Sequence, residues 1–355
     1  MFNQNIQRIG FACKYMHPDQ TQKPKILKEI QSQYTERSTT ITWLNRQPRD
    51  VAEQRLYEIA FDNVANLERL VRYVGSLPHA LRMVRIGSNL LPAYTHGDWA
   101  YFYRQADLRT RLERAYSKVG VIARELDVRL SMHPGQFTVL ASDNPDVVER
   151  SLEEFEYHAD IIRWMGYGQN WQDFKCNVHI SGRKGPAGII DILPRLSPEA
   201  RNCITIENDE NSWGLDASLE LAEYVPLVVD IHHHWIKTGE YIKPDDKCIR
   251  TIIDSWRGVR PTMHYSVSRE DLLQDFDPSV RPNMDTLLES GYKKAKLRAH
   301  SDYCWNTASN DWALTFWDNF DIMVEAKMKN LASQQLYAQE GMHNENRNEP
   351  VTLCA

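Results

Sequence analysis

The chain lacks most of the features that would assign a function at a glance. No apolar run approaches the roughly 20 residues that a membrane-spanning helix needs. The opening stretch, MFNQNIQRIGF, has neither the basic nor the apolar region of a secretory signal. The six cysteines (Cys13, Cys176, Cys203, Cys248, Cys304 and Cys354) are scattered and form no C-x-x-C pair. A reducing cytoplasm without disulfides is therefore expected. There is no Walker loop, no Gly-rich dinucleotide fingerprint and no nucleophilic Ser or Cys motif. Nor is there an internal repeat. A basic excess is missing too: 42 Lys and Arg face 48 Asp and Glu, a net charge of -6. Alone, that balance counts against a nucleic-acid partner. It loses force if some carboxylates are ligands whose charge bound cations would cancel. Basic residues are also dense locally, in Ser181-Gly-Arg-Lys-Gly185 and Gly291-Tyr-Lys-Lys-Ala-Lys-Leu-Arg298.

What the chain has is histidine in one recurring place. Eight of its twelve histidines follow short apolar runs that read as strands: His96, His133, His179, His232, His233, His234, His264 and His300. Glu207 and Asp230 belong to the same series. The runs cover residues 8–13, 81–86, 128–132, 176–180, 203–207, 227–231, 262–266 and 296–299, with helical periodicity between them, as over 50–73 and 108–126. Alternating strands and helices predict a parallel sheet, and eight such units predict an α/β fold of (β/α)₈ TIM-barrel type. Residues 1–330 are assigned to that single domain and 331–355 to a polar, flexible tail. Residues 16–49 form a long connection after the first strand, and 318–329 read as a helix after the last. A parallel barrel gathers its strand ends at one rim, so the His, Asp and Glu side chains would converge there.

The motifs differ in what they exclude. In His133-Pro-Gly-Gln-Phe137 the histidine is available as a ligand, and Pro134-Gly135 forces a turn that lifts Gln136 and Phe137 above the rim. An ordinary βα turn is the plain alternative. His179, in Asn177-Val-His-Ile-Ser-Gly182, is either a ligand or a core histidine bonded to backbone. Glu207 leaves a barrel strand, which is costly for a carboxylate unless it is paired or bound to metal. Asp209 and Glu210 read as solvated loop or cap residues. In Val229-Asp-Ile-His-His-His234, strand alternation points Asp230 inward and puts His233 just past the strand end. His232 and His234 are either ligands or groups that orient ligands. Mixed imidazole and carboxylate donors suit Mn²⁺, Zn²⁺ or Fe²⁺ better than Ca²⁺. So many donors exceed what one ion needs, and two or three ions are expected. Such sites serve phosphodiester cleavage by activating a water and stabilising the departing oxygen.

In this order the motifs resemble the ultraviolet damage endonucleases, the UvdE family of repair nucleases. The matching segments are Arg8-Ile-Gly-Phe-Ala-Cys13, Arg85-Ile-Gly-Ser88 with Pro92 and His96, His133-Pro-Gly-Gln-Phe137, Val178-His-Ile-Ser-Gly182, Ile206-Glu-Asn-Asp209, Asp230-Ile-His-His233, Met263-His-Tyr-Ser266 and His300-Ser-Asp-Tyr303. The resemblance implies a barrel like those of endonuclease IV and the xylose isomerases. It implies two or three divalent ions, Mn²⁺ foremost, with Mg²⁺, Zn²⁺ or Co²⁺ as alternatives. The implied reaction is nicking of UV-damaged double-stranded DNA immediately 5′ to cyclobutane pyrimidine dimers and (6-4) photoproducts, and at abasic sites. It leaves a 3′-hydroxyl and a 5′-phosphate. The implied ligands are His96, His133, His179, Glu207, Asp230, His233, His264, His300 and Glu325, with Glu207, Asp230, His264 and Glu325 carrying the chemistry. Gln136 and Phe137 match the pair that the family inserts into the duplex while the damaged bases are flipped out.

Four positions depart from the family pattern. Phe137 stands where a tyrosine is usual. Phe11 and Tyr15 occupy the places of a Tyr and an Asn that contact the damaged nucleotides. Thr262 replaces a lysine beside the metals. The expected protein is a monomeric cytoplasmic repair enzyme, acting at the nucleoid with no membrane association. Two other readings compete. A sugar isomerase or epimerase on the same barrel explains metals and acidic charge but not an exposed Gln-Phe pair. A non-catalytic lesion-binding protein is motivated by Thr262 alone.

Overall fold

The structure is a computed structural model and describes residues 2–348. Its frame is eight short parallel strands: β1 (Ile9–Ala12), β2 (Met83–Arg85), β3 (Arg129–Met132), β4 (Lys175–His179), β5 (Ile204–Glu207), β6 (Leu227–Val228), β7 (Thr262–Tyr265) and β8 (Asp321–Val324). They pair in the order β6-β5-β4-β3-β2-β1-β8-β7. The ring closes between β6 and β7 only at the rim. There Asp230 bridges His264, and the His264 backbone N–H donates to the Val229 carbonyl at 2.9 Å. Strands buried on both faces need near-continuous apolar sequence, and Ile9, Phe11, Ile204, Ile206, Met263 and Ile322 are all fully or nearly fully buried. At Gly10 the strands approach so closely that a Cβ would stand 2.6 Å from the Met83 carbonyl oxygen, which only glycine avoids.

Helices wrap the barrel. The connection after β1 holds α1 (Pro24–Ser32) and α2 (Ile41–Arg46), followed by α3 (Arg49–Gly75). After β2 come α4 (Ala100–Tyr103) and α5 (Ala106–Glu125), after β3 α6 (Pro145–Trp164), and after β4 α7 (Gly185–Ile192) and α8 (Pro198–Cys203). Next are α9 (Leu215–Leu219), then α10 (Ile231–Thr238) and α11 (Lys247–Ser255). Between β7 and β8 lie α12 (Met284–Glu289), α13 (Lys294–Leu297) and α14 (Thr307–Leu314), and α15 (Asn330–Asn348) closes the described chain. Each long helix buries one stripe. In α3 it runs through Leu56, Ile59, Ala60, Leu67, Leu70, Val71 and Val74.

Two expectations are corrected. Residues 296–299 are not the eighth strand but the end of a short helix, α13, and the turn that follows it. Leu297 alone is buried there, packed with Trp235, Leu273, Met284 and Leu287 in a satellite core. One apolar residue cannot supply two buried faces, whereas Ile322-Met-Val324 can. The eighth strand is therefore Asp321–Val324, inside the stretch expected to be helical. The polar tail also begins as structure. Helix α15 buries Ala332 and Leu336, spaced four apart, and the buried Asn330 amide brackets the Met16 backbone, accepting from its N–H at 2.7 Å. Residues 349–355 of the expected tail lie outside the described residues.

Candidate metal centre

Strand alternation builds the site. On β4, β5 and β7 the inward positions near the rim are His179, Glu207 and His264, and just past the ends of β3, β6 and β8 come His133, Asp230 and Glu325. Asp230 caps α10, its Oδ1 accepting from the His233 backbone N–H at 2.7 Å, which swings the His233 ring into the cleft. Three overlapping groups result: His133, His179 and Glu207; Glu207, Asp230 and His233; and Asp230, His264 and Glu325. Glu207 is shared by the first two and Asp230 by the last two. Glu207 Oε2 lies 3.4 Å from His133 Nε2 and 3.8 Å from His179 Nε2, and its Oε1 lies 3.0 Å from His264 Nδ1 and 3.5 Å from His233 Nδ1. Glu325 Oε1 sits 3.3 Å from His264 Nδ1 and pairs with Arg85.

The electrostatics follow from three carboxylates largely withdrawn from solvent around one cleft. Burial pushes Glu207 up, but the imidazoles of His264, His179 and His133 outweigh it and hold Glu207 well below the usual carboxylate range. Glu325 is likewise held low, burial being outweighed by Arg85 and His264. Asp230 has less help, and burial raises it. Burial opposes charge on His179 and His233 too. The carboxylates win, Glu207 and Asp209 bringing His179 up to about 9, and Asp230 and Glu207 bringing His233 up to about 10. The cluster thus gathers protons where divalent cations would fit. One atom shows the same need directly: Asp230 Oδ2 is buried without a hydrogen-bond partner. An oxygen stranded in that way is costly unless a cation meets it.

Seven of the nine expected ligands come together. His300 stands at the edge, its Nδ1 4.0 Å from Glu325 Oε2. His96 does not join. It sits in a turn, its Nδ1 accepting from the Asp98 backbone N–H at 3.3 Å, in a surface hollow lined by Tyr94, Arg104 and Arg109. His232 points away and stacks on Trp235 at 5.7 Å, and His234 is in none of the three groups. Phe11 is corrected outright. Alternation puts it on the outer face of β1 beside Ile9, 1% exposed in the core, where no nucleotide can reach it. Tyr15 is buried too, ringed by Tyr34 at 4.4 Å and Tyr73 at 4.7 Å. Gln136 and Phe137 do stand out, and Phe137 is 84% exposed, the most exposed large apolar residue among those described.

Other functional neighbours escaped the sequence reading. Asp209, read as a solvated loop acid, orients His179 through its Nδ1 at 3.1 Å. The Asn208 carbonyl faces His233 Nδ1 at 3.1 Å, and the Asn177 amide donates to Glu207. Such partners fix ligand geometry. The largest omission is Lys175. Its Nζ lies 2.8 Å from His264 Nε2, wholly buried, and burial brings it down to about 7. Thr262 lies on the same strand as His264, and the amine that reaches His264 comes across the barrel from Lys175 on β4.

A family model described as UV-endonuclease UvdE matches residues 7–352. The chain belongs to the UvdE family. A UV DNA damage endonuclease of Bacillus cereus (strain ATCC 10987 / NRS 248) is 25% identical over 311 residues, 84% of this chain and 87% of the relative. One of Bacillus mycoides (strain KBAB4) is 24% identical over 316 residues, with the same shares covered. Among solved structures, SacUVDE superposes with a TM-score of 0.69 at 21% identity, covering 96% of this chain and 99% of that one. Endonuclease IV of Thermus thermophilus gives a TM-score of 0.50 at 11% identity, covering 79% and 94%. These two superpositions agree with the barrel. The family assignment rests on the sequence match. Among the described residues no helix is long and apolar enough to cross a membrane.

Proposed function

We propose that this UvdE-family protein is a divalent-metal-dependent endonuclease that nicks UV-damaged duplex DNA immediately 5′ to the lesion, at cyclobutane dimers, (6-4) photoproducts and abasic sites, leaving a 3′-hydroxyl and a 5′-phosphate. One observation carries the reading: Gln136, next to the exposed Phe137, lines the same cleft as three histidines of the metal groups. A cavity of about 280 Å³ is lined by Gln136 and Gly135 on one side and by His133, His179 and His233 on the other. It runs into a second, of about 640 Å³, through their common residues Glu210, His233 and Arg298. A backbone phosphate beside a flipped base would lie between wedge and ligands.

Two or three Mn²⁺ ions would supply an activated water and stabilise the departing 3′-oxygen. The protein's own part is positional. Glu207 and Asp230 each join two donor groups, and His133, His179, His233, His264 and Glu325 complete them. His300 is the next donor outward, and His96 joins only if its turn moves. Phe137 offers a stacking wedge, and Gln136 fills the space left by the flipped bases. Discrimination then comes from how readily the duplex opens, since flipping costs less where stacking is already weak. Lys175 beside His264 supports the catalytic reading over the non-catalytic one motivated by Thr262.

The test is relaxation of supercoiled plasmid, irradiated or not, with Mn²⁺ or with EDTA. Metal-dependent nicking confined to irradiated plasmid is expected. A folded, metal-loaded protein that leaves irradiated plasmid supercoiled would sink the proposal.

A further inference from the structure

The segment from Lys14 to Arg37 contains none of the motif segments that carry the family resemblance. It carries five basic residues against three acidic ones, in a chain whose overall balance is acidic. Helix α1 within it is unusual in burying none of its nine residues. The base of the segment is nevertheless fixed. Asn63 of α3 accepts from the Arg37 N–H at 2.7 Å and donates to the Arg37 carbonyl at 2.9 Å. The Asn66 amide donates to the Thr35 carbonyl at 2.8 Å. The Tyr15, Tyr34 and Tyr73 rings lock the two ends together. A rigid base therefore carries an outward helix.

The charges on it are left open. Lys14, Lys23, Lys25 and Lys28 are exposed and have no carboxylate within 4.0 Å among the described residues. Arg37 is paired with Asp62, and Asp19 is occupied by Thr21 and Gln22. Glu29 lies on the same helix, and Glu36 is folded inward against Gly87. The segment starts beside the metal centre. The Cys13 backbone N–H donates to the Arg85 carbonyl at 2.7 Å, Arg85 holds Glu325, and Lys14 lines a groove of about 510 Å³ together with Lys28 and Arg37. Because this segment springs from the rim end of β1, the row leads from the cleft outward along the rim.

We propose that the α1 segment is a phosphate-binding arm that grips the duplex flank beside the metal cleft, through Lys14, Lys25 and Lys28. The occupant is duplex DNA because the row begins at the cleft that takes the scissile phosphate, an identification that rests on the nuclease reading above. Contacts of this kind read no sequence and no lesion. They add affinity for any duplex and make it depend on salt.

The test measures binding of the Mn²⁺-loaded full chain to undamaged duplex by fluorescence anisotropy across a salt series. Each phosphate contact adds roughly 0.9 to the slope of log affinity against log salt, so the triple variant Lys14→Ala, Lys25→Ala, Lys28→Ala should lose about 2 to 3 from that slope. The ratio of damaged to undamaged affinity should stay as in the wild type. Phe137→Ala should do the reverse, lowering the ratio and sparing the slope. An unchanged slope in the triple variant overturns the arm. So does an equal fall per charge in Arg201→Ala, on α8 at the opposite end of the barrel, since the effect would then be one of net charge. A wild-type protein that binds duplex with steep salt dependence yet nicks no irradiated plasmid would remove the nuclease reading and leave the arm. If wild-type protein binds no duplex, the arm falls as well.

Discussion

Strand β8 carries two inward carboxylates four residues apart, Asp321 at its start and Glu325 just past its end, and the barrel treats them oppositely. Asp321 is fully buried, and both of its oxygens are met by the chain itself. Arg129 donates to Oδ2 at 2.6 Å, and Arg260 and the Arg8 backbone N–H donate to Oδ1 at 2.7 and 2.9 Å. Arg260 also spends its other donors on the Asp318 and Phe320 carbonyls, and Arg129 donates to the Arg260 carbonyl. At the other end Glu325 has Arg85 but shares its surroundings with Glu207, Asp230 and the imidazoles. Asp230 Oδ2 there has no hydrogen-bond partner. One end is electrostatically finished and the other gathers donors that could hold cations. In a TIM barrel the first arrangement stabilises the fold and the second does chemistry.

The contrast can be broken from either side. Glu207→Ala removes the carboxylate common to two donor groups. Nicking of irradiated plasmid should fall to background, with metal content per molecule reduced and the thermal transition retained. Near-wild-type nicking would mean that the ions sit elsewhere. Asp321→Ala should do the opposite. It leaves two buried guanidinium groups without their acid, so unfolding free energy should drop by about 3 to 5 kcal/mol. Metal content per folded molecule should hold. Denaturant melts with metal analysis of the same samples check both halves. Loss of metal from folded Asp321→Ala would show that the two ends are not independent.

Lys175 sharpens the comparison because it lies between the two ends. It starts β4, as Arg129 starts β3, yet its amine reaches up to His264 instead of joining an arginine–aspartate pair. Lys175→Met should lower metal affinity or nicking about 10- to 100-fold, the usual cost of losing a group that orients a ligand. The fold should change little, since the stem is replaced by one of similar bulk. Unaltered metal affinity together with unaltered nicking would reduce Lys175 to filler.

How far the sequence could be read depended on whether a role was local. His133, His179, Glu207, Asp230, His233 and His264 were legible because one rule, strand alternation ending at a rim, places all six. Glu325 was placed only through family resemblance, since Ile-Met-Val followed by Glu-Ala-Lys satisfies a helical pattern as well as a strand. The same ambiguity hid β8 and promoted residues 296–299. Lys175 was invisible because its contact crosses the barrel from β4 to β7, and no spacing along the chain encodes that. Phe11 shows the reverse error. Matching a family position suggested DNA contact, while simple alternation with Ile9 already placed it on the outer face. Asp209 was read from its loop, and its loop bonds to Asn211 and Ser212 exist, but its second oxygen holds His179.

Protons provide the finest separation of the two ends. In the metal-free protein His179 and His233 are raised to about 9 and about 10, above the roughly 6.5 of a free imidazole. Between those values the folded chain holds protons that the unfolded chain has released. This contribution to stability is complete below pH 6.5 and drains away as pH rises toward 9 to 10. A divalent ion must displace the same protons, so its affinity should rise across the same window, with protons released on binding. Metal-free protein should therefore melt lower at pH 9 than at pH 6.5, while the rise in melting temperature given by Mg²⁺ should grow. Melts with EDTA or Mg²⁺ at the two pH values, and calorimetry in two buffers of different ionisation enthalpy, test this. Metal uptake without proton release, or a metal-free melting temperature that climbs with pH, would show that His179 and His233 are not the groups that cations replace.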